Sequence, residues 1–187
     1  MKLFSGQLMR GVAVSLTSLA FYAVCTTARS ADYAEESKDF GVSEMTRPKG
    51  SPYNLATPMT LPGGKTITTD QLKEMLVTDP NLIVIDALAS SVMIEGAKGL
   101  GNGIGEQRMF GQDRAMFPKA LSTLTAGDKA KAIVFYCRSS KCWHSYNASL
   151  HAIDAGYTNV YWYRGGIDAW QASGGKTTPY AVADVAK

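Results

Sequence analysis

Apolar residues fall along this chain in two alternating patterns. Short, mostly apolar runs rich in β-branched and aromatic side chains occur at Asn81 to Ile85, ending on Asp86, at Ala132 to Tyr136, ending on Cys137, and at Asn159 to Tyr163. Such runs predict strands buried on both faces. Between them the apolar positions recur at helical spacing. Thr68 and Gln71 make a capping-box pair ahead of Leu72, Met75 and Leu76, which predicts a helix over about 69–77 behind a short edge strand at Thr66 and Ile67. A second helix is predicted around 113–124, closed by the turn Ala126, Gly127, Asp128. The third runs from Trp143 to Ala155, with Trp143, Tyr146, Leu150 and Ile153 on one face and Gly156 as its stop, and a short fourth covers Ile167 to Ala172. Strands alternating with helices at these intervals make the fold class α/β, a mainly parallel sheet with helices on both faces.

Outside 66–187 the pattern changes. Residues 1–30 join a basic start, Lys2 and Arg10, to a mostly apolar stretch from Gly11 to Cys25 and to Ala28-Arg29-Ser30 before Ala31, the three parts of a signal peptide. The stretch is short of the ~20 residues a membrane span needs, so the mature chain is expected to be periplasmic with no span, a retained anchor being the alternative. Residues 31–65 are polar and hold Pro48, Pro52, Pro58 and Pro62, four of the seven prolines, which predicts an extension rather than a second domain. Between Ile94 and Phe117 lie Gly96, Gly99, Gly101, Gly103, Gly105 and Gly111 without phosphate-cradle spacing, read as a mobile loop near the active-site crevice.

Charge narrows the partners. Loss of the leader removes Lys2, Arg10 and Arg29 from the 19 basic residues, leaving 16 against 16 acidic ones. No basic run with interleaved aromatics remains, which argues against nucleic acid. The same cleavage leaves Cys137 and Cys142, and an even count in an oxidising compartment makes a disulfide between them the default expectation.

The chemistry concentrates where a strand ends on Cys137 and a helix follows Arg138, Ser139, Ser140, Lys141, Cys142 and Trp143. In open α/β sheets ligands bind beyond the carboxyl ends of the strands. Loop amides, the helix dipole, Arg138 and Lys141 would all favour a Cys137 thiolate. Strand ends at Asp86, Cys137 and Tyr163 are expected to converge on one crevice with Arg164 and Gly165 at its rim, and Asp86, by accepting N–H bonds, and Arg164 are the candidates to support the loop. A C-x5-R phosphatase loop is excluded by Trp143 at the arginine position. Haem attachment and thioredoxin-type exchange need C-x-x-C spacings that are absent. Cys137, Cys142, His144 and His151 do not match zinc spacings, so no metal site is expected, and the histidines are read as solvent-facing. The tryptophans are read as core.

Cys137, Arg138, Ser139 and Lys141 resemble the C-R-S-G-K-R active-site loop of rhodanese-like domains. Gly156, Tyr157, Val160, Gly165, Gly166, Ile167, Ala169 and Trp170 resemble that family's closing motif, and the resemblance covers about residues 66–179. Ser140 stands for the usual glycine and Cys142 for the usual arginine, and the family's G-H-I-P-G-A segment is absent. Cys142-Trp143, with Asn159 to Tyr163, is similar to a subgroup associated with PQQ-dependent alcohol catabolism and named for C-x-x-C-W, although the spacing here is C-x-x-x-x-C-W. The resemblance implies a sulfurtransferase in which Cys137 carries sulfur as a persulfide and Arg138 and Lys141 attract a small anionic sulfur donor, with no cofactor. The subgroup resemblance implies, as the alternative, a non-catalytic or thiol-redox accessory protein whose partner is a periplasmic dehydrogenase. Cys142 is left as a resolving thiol, a disulfide partner or a small filler.

Overall fold

The computed structural model describes residues 33–101, 103–109 and 111–184, and the expected leader lies outside them. Five parallel strands form the main sheet: β1 (Lys65–Ile67), β2 (Ile83–Asp86), β4 (Lys98–Gly99), β5 (Ile133–Tyr136) and β6 (Val160–Tyr163), in the order β1-β6-β5-β2-β4. A separate antiparallel pair joins β3 (Val92–Ile94) to β7 (Thr177–Pro179). The helices are α1 (Thr69–Thr78), α2 (Gly111–Thr125), α3 (Trp143–Asp154) and α4 (Gly166–Ala172). Among the described residues no helix is long and apolar enough to cross a membrane.

Alternation within the strands builds two cores. Ile83, Ile85, Ile133, Phe135, Val160 and Trp162 point to one face, where Phe117 and Leu121 of α2 and Trp143, Tyr146 and Leu150 of α3 cover them. Val84, Val134, Tyr136 and Tyr163 point to the other, packed by Leu72 of α1 and Ile167 and Trp170 of α4. Helices therefore cover both faces, as the pattern predicts. The capping box forms both bonds, Gln71 N to Thr68 Oγ1 at 3.3 Å and Thr68 N to Gln71 Oε1 at 2.9 Å. Helix α3 stops as predicted, with Gly156 N donating to Ile153 O and Tyr157 N to Ala152 O, the paired bonds of a Schellman ending.

One segment differs from expectation, and another takes a course that the sequence left open. The glycine-rich stretch, read as a mobile loop, contributes β4 to the sheet edge and then packs Ile104 and Gly105 against α3. A Cβ on Gly105 would lie 2.5 Å from the Cβ of His144, so only glycine allows this approach. The extension forms a strap across the carboxyl ends of the strands and the start of α3. Met45 N donates to Tyr146 Oη, Lys49 N to Asn147 Oδ1, and Asn147 Nδ2 to both Lys49 O and Gly105 O. At the strap's beginning the Glu36 carboxylate accepts from Thr69 N and Oγ1 at the first turn of α1. Burial pushes that carboxyl up, and the Thr69 bonds offset only part of the rise.

Candidate active site

Cys137 follows β5 directly, as the end of that apolar run requires, and is 2 % exposed. Its carbonyl and that of Arg138 accept from Ile167 N (2.9 Å) and Asp168 N (3.0 Å) at the start of α4. Gly166 makes this possible: its φ is +65°, and a Cβ there would run into the Cys137 and Arg138 backbone. The back of the loop is thus fixed to α4, and its front turns on itself. Cys142 N donates to Ser139 O, Lys141 N to Ser139 Oγ, and Trp143 N to Tyr53 O of the strap.

Those bonds correct one expectation. The amides of Lys141, Cys142 and Trp143 serve the turn and the strap, not the sulfur. Two polar groups reach Cys137 Sγ, each at 3.1 Å: the Cys142 carbonyl oxygen, and the Ser145 hydroxyl on the first turn of α3, which is the one able to donate. Ser145 Oγ also accepts from Trp162 Nε1 at 3.0 Å, which leaves its own proton to donate toward the sulfur. Sequence reading missed Ser145. The signal was its place three residues past Cys142, one turn into a helix whose start faces the thiol. Cys137 and Cys142 are joined in a disulfide with Cα atoms 6.3 Å apart, the pairing expected from the cysteine count.

The remaining predicted residues fall in different places. Ser140 is buried, its carbonyl accepting from Thr57 N and Thr57 Oγ1 of the strap, while Arg138 and Lys141 are exposed. Lys141 pairs with Glu35 at 3.0 Å, so its charge is partly answered by the strap, and that pairing holds the Glu35 carboxyl below its usual range. Asp86 does not reach the loop. It accepts from Leu88 N and Ala89 N in the turn after its own strand and from Tyr136 Oη at 3.4 Å, and burial raises its carboxyl. Arg164 is not on a rim but 1 % exposed, donating to Glu36 O (2.6 Å), Thr57 O (3.0 Å) and Thr57 Oγ1 (3.2 Å). A cation that must find oxygen partners once desolvated explains the burial: the strap supplies them. Arg164 therefore supports the loop through Thr57, which bonds Ser140.

Nor are the histidines solvent-facing. His151 Nε2 lies 2.8 Å from Glu106 O, and His144 packs under the Tyr53 ring with centroids 4.5 Å apart. His144 Nδ1 is 3.8 Å from Cys142 Sγ and its Nε2 is 4.0 Å from Glu106 Oε1. A cleft of about 120 Å³ opens here, lined by Tyr53, Leu88, Arg138, Lys141, Cys142 and His144. It is smaller than the roughly 300 Å³ at which drug-sized ligand pockets begin, which suits a small ion or a single thiol group.

The rhodanese-like domain model matches residues 68–173, from the N-cap of α1 to the end of α4. The chain belongs to the rhodanese-like family. Within this rhodanese-like chain the strap lies outside the matched span, so the cover over the loop is an addition to the shared domain. No curated protein matches the chain. Among solved structures, a rhodanese-like domain from Anabaena sp. is 24% identical with a TM-score of 0.47, over 64% of this chain and 86% of that one. Thiosulfate sulfurtransferase from Pseudomonas aeruginosa is 15% identical with a TM-score of 0.49, over 64% of this chain and 21% of that one. A polysulfide-sulfur transferase homodimer from Wolinella succinogenes is 17% identical with a TM-score of 0.43, over 64% of this chain and 82% of that one.

Proposed function

We propose that this protein is an exported sulfurtransferase that accepts sulfane sulfur on Cys137. The observation that carries the reading is the position of the Cys137 sulfur, at the carboxyl end of β5 and 3.1 Å from the Ser145 hydroxyl, in the cysteine place of a rhodanese-like loop. In the reduced protein the thiolate attacks the outer sulfur of a donor such as thiosulfate. The donor S–S bond breaks, sulfite leaves with the bonding pair, and Cys137 holds a persulfide. Ser145, polarised by Trp162, stabilises negative charge on the sulfur, and exposed Arg138 draws the anionic donor toward the small cleft.

Export belongs to the same proposal and rests on the three-part leader. N-terminal sequencing of the native protein is expected to start at or near Ala31. The activity is tested by sulfur transfer from thiosulfate to cyanide after reduction and desalting. Turnover lost in Cys137→Ser supports the proposal; no turnover and no persulfide with thiosulfate, polysulfide or a thiol persulfide refutes it. The strap over the loop favours a second reading, a thiol-redox accessory protein, and the Cys142-Trp143 resemblance alone suggests that its system is a periplasmic PQQ-dependent alcohol oxidation. Co-purification with a quinoprotein dehydrogenase that survives Cys137→Ser would support that role.

A further inference from the structure

The sulfur acceptor in a transfer reaction must reach the outer atom or the inner atom of the persulfide. Two openings lie between the strap and the loop: one of about 390 Å³ bounded by Glu35, Ser139, Ser140 and Lys141, with no cysteine in its lining, and the cleft of about 120 Å³, where Cys142 is the lining cysteine. Cys142 also lies within bonding distance of Cys137, since the two form a disulfide. Its other neighbour is an imidazole: His144 Nδ1 at 3.8 Å, with the Glu106 carboxylate facing Nε2 at 4.0 Å and the Tyr53 hydroxyl donating to that same carboxylate at 2.6 Å. Thiol, imidazole, carboxylate and phenol therefore form a chain drawn from the loop, α3, the glycine-rich segment and the strap.

We propose that Cys142 is a resolving thiol with His144 as its general base, so that the protein reduces bound sulfane sulfur to hydrogen sulfide instead of passing it to an external acceptor. The inference rests on Cys137 first becoming a persulfide. His144 Nδ1 takes the Cys142 thiol proton, and the thiolate attacks Sγ of Cys137. The Cys137–sulfur bond breaks, the outer sulfur leaves with the bonding pair and recovers a proton, and the Cys137–Cys142 bond forms. The outer sulfur is reduced by two electrons and the two cysteines are oxidised. A dithiol then restores the enzyme. Its thiolate attacks Cys142, the sulfur that faces the cleft, and expels Cys137 as a thiolate beside Ser145; its second thiol releases Cys142, and the dithiol leaves as a disulfide.

The surroundings of His144 suit a base. Burial holds its imidazole below the ordinary histidine range, against the opposing pull of Glu106, so the ring is neutral near pH 7 and Nδ1 can accept a proton. The charged or titratable groups around it are Glu106 from the glycine-rich segment, Tyr53 from the strap, and Cys142, Arg138 and Lys141 from the loop.

A single turnover of the full reduced chain with thiosulfate, with no dithiol present, tests this. Sulfite reports persulfide formation and hydrogen sulfide reports resolution. The expected result is equal amounts of both, with loss of both free thiols. Sulfite with a stable persulfide and no hydrogen sulfide overturns the inference and leaves the transferase reading intact; absence of sulfite, with no persulfide from polysulfide or a thiol persulfide either, overturns both. Cys142→Ser should hold the extra sulfur on Cys137, seen as a mass increase of one sulfur atom. A free thiol with pKa ~8.5 is only about 3% ionised near pH 7, so His144→Gln should slow hydrogen sulfide release roughly 30-fold there and approach the wild-type rate at about pH 9.5. A variant profile that superimposes on wild type removes His144 from the mechanism.

Discussion

Arg164→Met should release the strap without unfolding the domain. The side chain is fully enclosed and donates to three backbone carbonyls of the strap, Glu36 O at 2.6 Å, Thr57 O at 3.0 Å and, more weakly, Glu35 O at 3.4 Å, besides Thr57 Oγ1 at 3.2 Å. Methionine keeps much of the volume and removes every donor. Taking about 1.5 kcal/mol net for each of the two shorter charge-assisted bonds gives a loss of ~3 kcal/mol, or roughly a hundredfold in the equilibrium for strap opening. The cost is limited by how firmly the strap is otherwise held, because a lifted strap returns Thr57 O and Glu36 O to water. Amide hydrogen exchange read by mass spectrometry should show peptides within 33–64 exchanging about a hundredfold faster, while peptides of β5 and β6 keep their protection. Arg164→Lys should fall between, since one ammonium does not reproduce the guanidinium fork across Thr57 and Glu36. If strap exchange in a folded Arg164→Met protein matches wild type, Arg164 is not what holds the strap, and the route by which it supports the loop through Thr57 and Ser140 is wrong.

Three further outcomes follow from the same geometry. Ser145→Ala removes the hydroxyl beside Cys137 Sγ, and loss of a charge-assisted bond of about 1.5 kcal/mol should raise the pH midpoint for alkylation of reduced Cys137 by about one unit; an unchanged midpoint rejects the role. Gly166→Ala puts a side chain at φ +65° against the Cys137 and Arg138 backbone and should lower stability by about 2 kcal/mol or more in urea unfolding. For His144 the folded value lies below the unfolded one, so folding favours the neutral ring. That contribution is full above ~6.5 and is lost as pH falls through the folded value; denaturation midpoints for His144→Gln should therefore decline less than wild type between about pH 7 and 5.

What could be read ahead of the structure follows from the range of the signal. The strands at Ile83–Asp86, Ile133–Tyr136 and Val160–Tyr163 are apolar on both faces, and the capping box of α1 is complete within four residues, so local pattern was enough. The short strands at Val92–Ile94, Lys98–Gly99 and Thr177–Pro179 were not legible, because two or three residues carry no periodicity and one contains proline. At the site, Cys137 and its pairing with Cys142 were readable from a strand end and a count of cysteines. Arg164 was misplaced because its partners are carbonyls of Glu36 and Thr57, more than a hundred positions away, and backbone oxygens leave no trace in composition. His144 and Glu106 were missed together, since only the packing of Gly105 on α3 brings them side by side.

The strap also sets an order of assembly. Its bonds to α3 and to Arg164 join residues 87 to 129 positions apart, so a chain emerging amino terminus first has no docking surface for residues 35–57 until α3 and β6 have been made and paired. The β2–β5 and β5–β6 pairings at the centre of the sheet, 50 and 27 positions apart, can form sooner. The segment made early is therefore the one that settles last. Until it settles, Cys137 and Cys142 sit on an uncovered loop, open to oxidants and thiols that the closed cover afterwards limits.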